Sequence, residues 1–575
     1  MTQEEHSARM ANLSPAKRAL LEQWLTTQGR DVRAVSQAPP VTATERLLLK
    51  IWRDVLRIEE IGVEDDFFSL GGDSITSLQI AVRAAEAGLS ISSRQVLEAE
   101  TVSRLAELAR PMERAVEDVA TGRVPLTPIQ RWFFEQELPH AERWDQTIRL
   151  VASAALDADV LRSALASLVG HHDILRARFA PEEETWGQSV PVDTSVPVPL
   201  RVVDLSRADG PAYEDAMAAA VRAVEADIDL GRGPLLSAVL FQFGPTRQDM
   251  VLLAFHHLVV DGISLRVLVE DLDRAYRRLA RGQSVDLPAL TTSFRSWSQL
   301  LRRFAGQPEV RSQLAYWRDV PCAGAARLPV DHEDGPNTVG STGTVFTRAD
   351  SRIGRALLFE VPRSSRVPVQ HVLLACLLLT WWRCHGTTAL QIDLEGHGRE
   401  SIDSAVDVSR TVGWFTTIFP VVLRAPDTPE AGDLTAALNA VRKVMTELPM
   451  AGLGYGLLRY LSPGGDNGMG DLPQSQLSFN YLGRFEPLTA EDAVLGIPLQ
   501  MPGLLQDPSG PRRYVVEVAV SAVEDRLLVA WTYSRSRHQR ETVQRLADAY
   551  MSALEDAVRL LARQEAGDVR HGVAP

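Results

Sequence analysis

Two imidazoles, His256 and His257, close an apolar run in the stretch VLLAFHHLVVDG, with Asp261 and Gly262 just beyond them. An unperturbed imidazole ionises at about 6.5, so a histidine here can exchange a proton near neutrality. Glu395 also ends an apolar run, in ALQIDLEGHGRE, and a Gly-His-Gly turn follows it. A glutamate ionises at about 4.3 and works as an acid near pH 7 only if burial raises it. Ser74, in DDFFSLGGDSITSLQ, offers a hydroxyl at the start of a helical pattern, where serine ordinarily serves as an N-cap. Each residue also has a plain structural reading: a hydrogen-bonded core pair for the histidines, a strand-end salt bridge for Glu395, a cap for Ser74. A further pair, His171-His172 in GHHDILRARF, lacks the Asp-Gly and reads as structural, at a helix-to-strand junction near a surface.

The elements that must hold these groups are legible from periodicity. Residues 251–255 form a short apolar run bounded by polar signals, which suits a strand covered on both faces. The sequence after Gly262 repeats Leu265, Leu268, Leu272, Tyr276 and Leu279 at helical spacing. Upstream, residues 41–110 read as a small all-α four-helix unit. It opens on TATERLLLKIWRDVL with a Thr-x-x-Glu-like start, passes through a long loop to the helix after Ser74, and ends in two short helices near Val96 and over 102–109. Residues 1–40 hold NLSPAKRALLEQWL, whose Leu20, Leu21, Trp24 and Leu25 share one helical face; it is either a docking helix or a simple terminal helix. Residues 111–125 are polar and bracketed by prolines, hence a linker. From 126 to 566 the chain keeps one character, dividing into lobes of about 126–300 and 305–566, and 567–575 is a short polar tail.

Composition narrows the function classes. Of 575 residues 45% are hydrophobic and 23% charged, the proportions of a soluble globular protein of two to four domains. A net charge of −14 argues against nucleic-acid binding, which needs a basic footprint. The longest apolar run, VLLACLLLTWW, is too short to cross a bilayer and reads as a buried helix, so no membrane partner is expected. Cys322, Cys376 and Cys384 make neither a disulfide framework nor a zinc spacing, and MTQEEHSARM is no secretory signal, so a cytoplasmic location is expected.

The pattern HHxxxDG resembles the active-site motif shared by condensation and epimerization domains of nonribosomal peptide synthetases, which have a chloramphenicol-acetyltransferase-like fold. DDFFSLGGDSITSLQ resembles the phosphopantetheine-attachment site of a peptidyl carrier protein. Asp73 there, where histidine is frequent, resembles carriers that serve epimerization domains. LTPIQRWFFEQ and RWDQTIRL, then EGHGRE, RTVGWFT, PMAGLGYG and SFNYLGRF, are similar in order to epimerization-domain motifs. Asp145 stands where that family usually has Asn, and Leu265 where it usually has Trp.

The resemblance implies a small all-α carrier followed by an α/β two-lobed epimerization domain. It implies 4'-phosphopantetheine attached at Ser74 by a phosphopantetheinyl transferase. His257 and Glu395 would exchange the α-proton of an aminoacyl or peptidyl thioester, giving an L/D mixture. Removing an α-hydrogen needs a positioned base and support for the oxygen that gains charge, and inversion needs a proton returned to the opposite face. Asp261 is expected to orient its loop by pairing with a buried Arg399. Asn480 and Tyr481 would donate to the carbonyl or the pantetheine, or simply pack, and His256 and His397 are structural. An adenylation domain, in cis of a longer synthetase or in trans, and a downstream condensation domain are the implied partners. The alternatives are a peptide-bond-forming condensation domain with its carrier, a free-standing acetyltransferase using coenzyme A, and a non-catalytic docking module.

Overall fold

The computed structural model describes residues 38–571 apart from 57, 73, 112–119, 184, 208–209, 246, 291, 323–326, 366, 404–405, 426–432, 464–466, 486–492, 497–502 and 524. The expected helix around Leu20 to Leu25, and Asp73, lie outside the described residues. The chain divides into two compact units, Met1–Met112 and Glu113–Pro575.

The first unit is built on α1 (Ala43–Leu56), α2 (Ser74–Glu86), α3 (Ser93–Ala99) and α4 (Val102–Leu108), with a short pair β1 (Leu89–Ser90) and β2 (Arg110–Pro111). Thr42 and Glu45 close the start of α1 reciprocally: Thr42 Oγ1 accepts from the Glu45 N–H at 3.0 Å, and the Glu45 carboxylate accepts from the Thr42 N–H at 2.7 Å. The buried face of α1 carries Leu48, Trp52 and Val55, and Trp52 meets Phe67 edge-on at 5.1 Å. Phe67 also fixes the entry to α2. The Gly72 N–H donates to the Phe67 carbonyl at 2.9 Å, and a Cβ on Gly72 would lie 2.5 Å from the Phe67 ring. Only glycine lets the backbone pass there and begin α2 at Ser74. The Ser74 side chain itself lies outside the described residues.

The second unit is an α/β body with three sheets among the described residues. β3 (Gly122–Val124), β6 (Trp186–Val190) and β5 (Arg178–Pro181) make the smallest, in the order β3-β6-β5. The first large sheet holds β4 (Trp144–Ala152), β7 (Leu200–Asp204), β8 (Leu236–Gln242) and β9 (Met250–His256), with β14 (Leu495–Gly496) and β15 (Gly503–Gln506) both pairing β4. The second contains β10 (Thr342–Arg348), β17 (Arg526–Ser534), β16 (Val516–Val523), β13 (Leu477–Phe485), β11 (Ala389–Gly396) and β12 (Thr417–Arg424), in that order. The helices that matter below are α5 (Pro128–Glu135), α6 (Ala158–His171), α7 (Gly262–Ala280), α8 (Val369–His385) and α9 (Arg540–His571).

Strand position explains the apolar runs. β9 bonds to β4 on one edge and β8 on the other, and every residue from Val251 to His256 is buried. β11 lies between β12 and β13. Both candidate proton-transfer residues therefore stand where an interior strand ends, on backbone held from two sides. The run VLLACLLLTWW is the buried body of α8, against which α9 packs through the Tyr550 hydroxyl donating to the Leu373 carbonyl at 3.2 Å. Trp381 of α8 stacks on Trp531 of β17 with centroids 5.9 Å apart.

Four expectations need correction. The lobes are not contiguous, because β14 and β15 cross back to the sheet of residues 126–300; a strand with one open edge gains hydrogen bonds by accepting them. The linker gives way to β3 at Gly122, which pairs β6. The tail from 567 continues α9 as far as His571. Of the His171-His172 pair, His171 is partly exposed but His172 is interior: it is 1% exposed and its Nε2 lies 2.9 Å from Asp271 Oδ2.

Asp271 Oδ1 in turn accepts from Arg410 Nη2 at 2.6 Å, tying α7 to the segment that follows β11. His171, His172 and Asp271 lie close enough to suggest a metal, but the guanidinium on Asp271 already supplies positive charge. Asp271→Ala removes the nearer carboxylate from a guanidinium that is almost fully buried, leaving Glu270 at 3.9 Å. A loss of about 3 kcal/mol or more is expected in urea denaturation of the second unit, because a buried charge is left poorly compensated.

Candidate active site

β9 ends in His256, whose ring is fully buried. Its Nε2–H donates to the Ala141 carbonyl at 2.8 Å and its Nδ1 accepts from the Leu258 N–H at 3.1 Å. Both nitrogens are occupied, and burial pushes the group down to about 4, so His256 is a neutral structural residue.

His257 opens a single 3-10 turn and differs in one respect. Its Nδ1–H donates to the Val260 carbonyl at 2.8 Å, which fixes the tautomer and leaves the lone pair on Nε2. That lone pair meets Gln146 Nε2 at 2.7 Å. Burial holds the imidazole below its ordinary range, against the opposing pull of nearby carbonyls and Asp261, and Trp414 lies over the ring at 4.2 Å. The result is a neutral imidazole with its lone pair held in a defined direction.

Asp261 caps α7, accepting from the Ser264 N–H at 2.7 Å. It also receives Arg399, with Nη2 at 3.3 and 3.5 Å from its two oxygens, and the Phe415 N–H at 3.1 Å. Arg399 Nη1 donates to the Val408 and Thr411 carbonyls, at 2.5 and 2.8 Å, and Nη2 also to Ser264 Oγ at 3.0 Å, while Nε finds no partner among the described residues. Its guanidinium lies 3.8 Å from the centre of the Phe415 ring. The pair is almost wholly buried, at 4% and 2% exposure. Asp261 comes four residues after His257, and Arg399 four after Glu395. The ion pair therefore joins the turn after one candidate group to the turn after the other.

Glu395 sits at the end of β11, followed by a tight turn. Gly398 has φ +68°, and a Cβ there would lie 1.7 Å from the Phe415 carbonyl oxygen, so the turn that aims Arg399 requires glycine. His397 Nδ1 accepts from the Arg399 N–H at 3.0 Å, a role within the turn. Glu395 Oε2 accepts from Asn480 Nδ2 at 2.6 Å. Burial pushes its carboxyl up to about 7, and the neighbouring carboxylates of Glu517 and Asp393 add to that. A group poised there can both give and take a proton at neutral pH.

The sequence reading named His257, Glu395, Asp261 and Arg399; of these Asp261 and Arg399 pair directly, and each lies four residues after one of the other two. Asn480 donates to Glu395. Tyr481, the next residue on β13, is a partly buried member of the hydrophobic core. Gln146 and Trp414 went unnoticed as site residues. Period-two alternation in RWDQTIRL sets Gln146 on the face opposite Asp145, but β4 meets β9 across 111 residues of chain. Only that pairing reveals the partner.

Two families cover the chain. Residues 46–109 match the Phosphopantetheine attachment site family and residues 120–567 the Condensation domain family. One component of the linear gramicidin synthase of Brevibacillus parabrevis is 38% identical over 537 residues, 92% of this chain and 10% of that protein. Another component of the same synthase is 36% identical over 90% of this chain and 7% of its own length. Chondramide synthase cmdD from Chondromyces crocatus is 38% identical over 90% and 13%. The chain thus spans a small fraction of each of these relatives. Among solved structures, the epimerization domain from the third module of tyrocidine synthetase B superposes with a TM-score of 0.73 at 29% identity, covering 79% of this chain and 100% of that one. The condensation domain from the Monacolin K polyketide synthase MokA gives 0.59 at 19% identity over 76% and 97%, a likeness of fold.

Asp145, opposite His256 in the β4/β9 register, is a buried carboxyl whose oxygens both lack a hydrogen-bond partner among the described residues. Burial, then the carboxylates of Glu225 and Glu142, push it up to about 8. At neutral pH it is an uncharged acid where the resembling sequences usually carry an uncharged amide. The folded group keeps its proton to about pH 8, whereas an unfolded aspartate ionises at about 3.9. The folded state therefore holds more protons across that window, and stability falls as pH rises through it. Asp145→Asn is expected to raise Tm by an amount that grows from pH 5 to pH 8. A gain independent of pH would contradict the buried neutral acid.

Proposed function

We propose that this chain, which belongs to the condensation-domain family of nonribosomal peptide synthetases and carries a phosphopantetheine attachment domain ahead of it, epimerizes the α-carbon of a carrier-bound aminoacyl or peptidyl thioester. The observation that carries the reading is the complementary tuning of two groups: His257 held neutral with a directed Nε2 lone pair, and Glu395 raised to about 7. The state holding one proton between them has it on Glu395 at neutral pH, giving one base and one acid. Supporting this, the likeness to an epimerization domain (TM-score 0.73) exceeds that to a condensation domain (0.59).

Ser74 is the residue we assign to the pantetheine. It is the first residue of α2, and a phosphodiester there would lie beside the unpaired N–H groups and positive dipole end of the helix. When bound, the group supplies a thioester, which acidifies the α-hydrogen of the acyl chain it carries. His257 Nε2 takes the α-proton from one face as the C–H bond breaks, and the Glu395 carboxyl gives its proton to the opposite face as the new C–H bond forms. The proton count is unchanged, and the reverse direction uses the same groups in exchanged roles, so an L/D mixture results. Asn480 holds the Glu395 carboxyl in place, while Asp261 and Arg399 hold the two turns. A phosphopantetheinyl transferase, an adenylation domain in cis or in trans, and a downstream condensation domain that takes the D form complete the reading, in the cytoplasm. Among the described residues no helix is long and apolar enough to cross a membrane.

Two experiments test it. A phosphopantetheinyl transferase should add the mass of one pantetheine to the wild type and none to Ser74→Ala, by intact-mass analysis; equal modification of both would move the attachment elsewhere. With L- and D-aminoacyl chains loaded in deuterated solvent, His257→Ala and Glu395→Gln should each lose inversion by at least about a hundredfold, the scale of a general acid or base. Residual deuterium uptake should favour opposite epimers in the two variants. Substantial L-to-D conversion by either one rules out the two-base mechanism.

A further inference from the structure

Gln146 holds two groups in the site that the reaction as described leaves unexplained. Its amide Nε2 donates to the lone pair of His257, the pair that must be free to take a proton. Its Oε1 is buried and has no hydrogen-bond partner among the described residues. Leaving a buried acceptor unmet costs about 1–3 kcal/mol, so such a group is ordinarily paired in the state in which the protein works.

Both features point to one occupant. A substrate α-carbon can approach His257 Nε2 only where the Gln146 amide now stands, so the amide must be displaced as the substrate enters. The α-nitrogen is bonded to the same carbon, and its N–H is the donor nearest to any group that contacts the α-hydrogen. The Gln146 side chain is held at its backbone by β4, paired to β9 at Phe255 and to β15 at Leu504, so displacement moves the amide by rotation rather than removing it from the site. We infer that Gln146 is a substrate-positioning residue: it caps His257 in the resting protein and, when displaced, accepts the N–H of the substrate's α-nitrogen through Oε1. The inference rests on the epimerase reading and adds to it the group by which the reacting residue is recognised. A bond from Oε1 to the α-nitrogen restricts rotation about the carbon that reacts and sets the C–H toward Nε2. It also favours acyl chains whose reacting residue keeps an N–H over those in which that nitrogen is alkylated.

The test compares two thioesters loaded on Ser74: a dipeptidyl chain, and its depsipeptide isostere in which oxygen replaces the N–H of the reacting residue. Inversion rates are measured for wild type, Gln146→Leu and Gln146→Glu, with pantetheine loading and Tm as checks of folding. The wild type should prefer the N–H substrate, and Gln146→Leu should lower its rate on that substrate about tenfold or more beyond any change in its rate on the isostere. The difference in α-hydrogen acidity between the two substrates is common to all variants and cancels in the ratio. Gln146→Glu, which keeps an acceptor, should retain the preference for N–H even if its overall rate drops. Equal losses on both substrates in Gln146→Leu would overturn the α-nitrogen contact and leave the epimerase reading standing. A wild type that inverts neither substrate would overturn the epimerase reading, and this inference with it.

Discussion

The buried pair Asp261–Arg399 is the interaction on which the site depends. Two charges taken out of water are costly unless geometry and further hydrogen bonds offset the loss. Here they do: the carboxylate also accepts from Ser264 and Phe415 backbone N–H groups, and the guanidinium also reaches two carbonyls, a hydroxyl and an aromatic face. Each partner comes four residues after a candidate proton-transfer residue, one at a strand end of each large sheet. The pair contributes registration more than stability. It fixes the turn after β9 against the turn after β11, and a shift of either would misplace the group before it.

Around that anchor, burial does opposite things to the two groups. Desolvation disfavours whichever form is charged, so it favours the neutral histidine and the protonated glutamate. The nearby carboxylates of Glu517 and Asp393 push Glu395 further in the same direction. Each inversion turns this neutral pair into an imidazolium and a carboxylate, and the same desolvation then favours return of the proton to Glu395. Asp145 follows the same rule: lacking partners among the described residues, it is cheapest as an uncharged acid.

The strand exchange gives this arrangement its rigidity. β14 and β15, from the second half of the chain, complete the sheet of the first by pairing with β4, the strand that carries Gln146 to His257. The buried Asp271–Arg410 pair adds a second tie between the halves. Motion of one half against the other would have to break strand pairing and bare two buried ion pairs, so the backbone of the site is set before any acyl chain arrives.

The sequence alone determined the local elements and the groups with chemistry. An apolar run ending in His256-His257, an Asp-Gly helix start, and a Glu-Gly-His-Gly strand end are signals contained within a dozen residues, where periodicity and capping rules operate. It also supplied Ser74 at its helix start and the pairing of Asp261 with Arg399 through the family resemblance. The same resemblance marked His256 as structural and His257 as the proton-transfer candidate, but local pattern could not supply the reason, which lies in the Ala141 carbonyl and in Gln146, each more than a hundred residues away. Nor could it tell that His172 is interior, since Asp271 and Arg410 come from distant elements. The crossing of β14 and β15 was hidden for the same reason: a strand's partner is chosen by which edge is open in the folded sheet, and two- and four-residue strands carry little pattern of their own. Hydrogen-bond partners, burial and the proton affinities that follow from them are properties of the assembled core, and only the tertiary structure decided them.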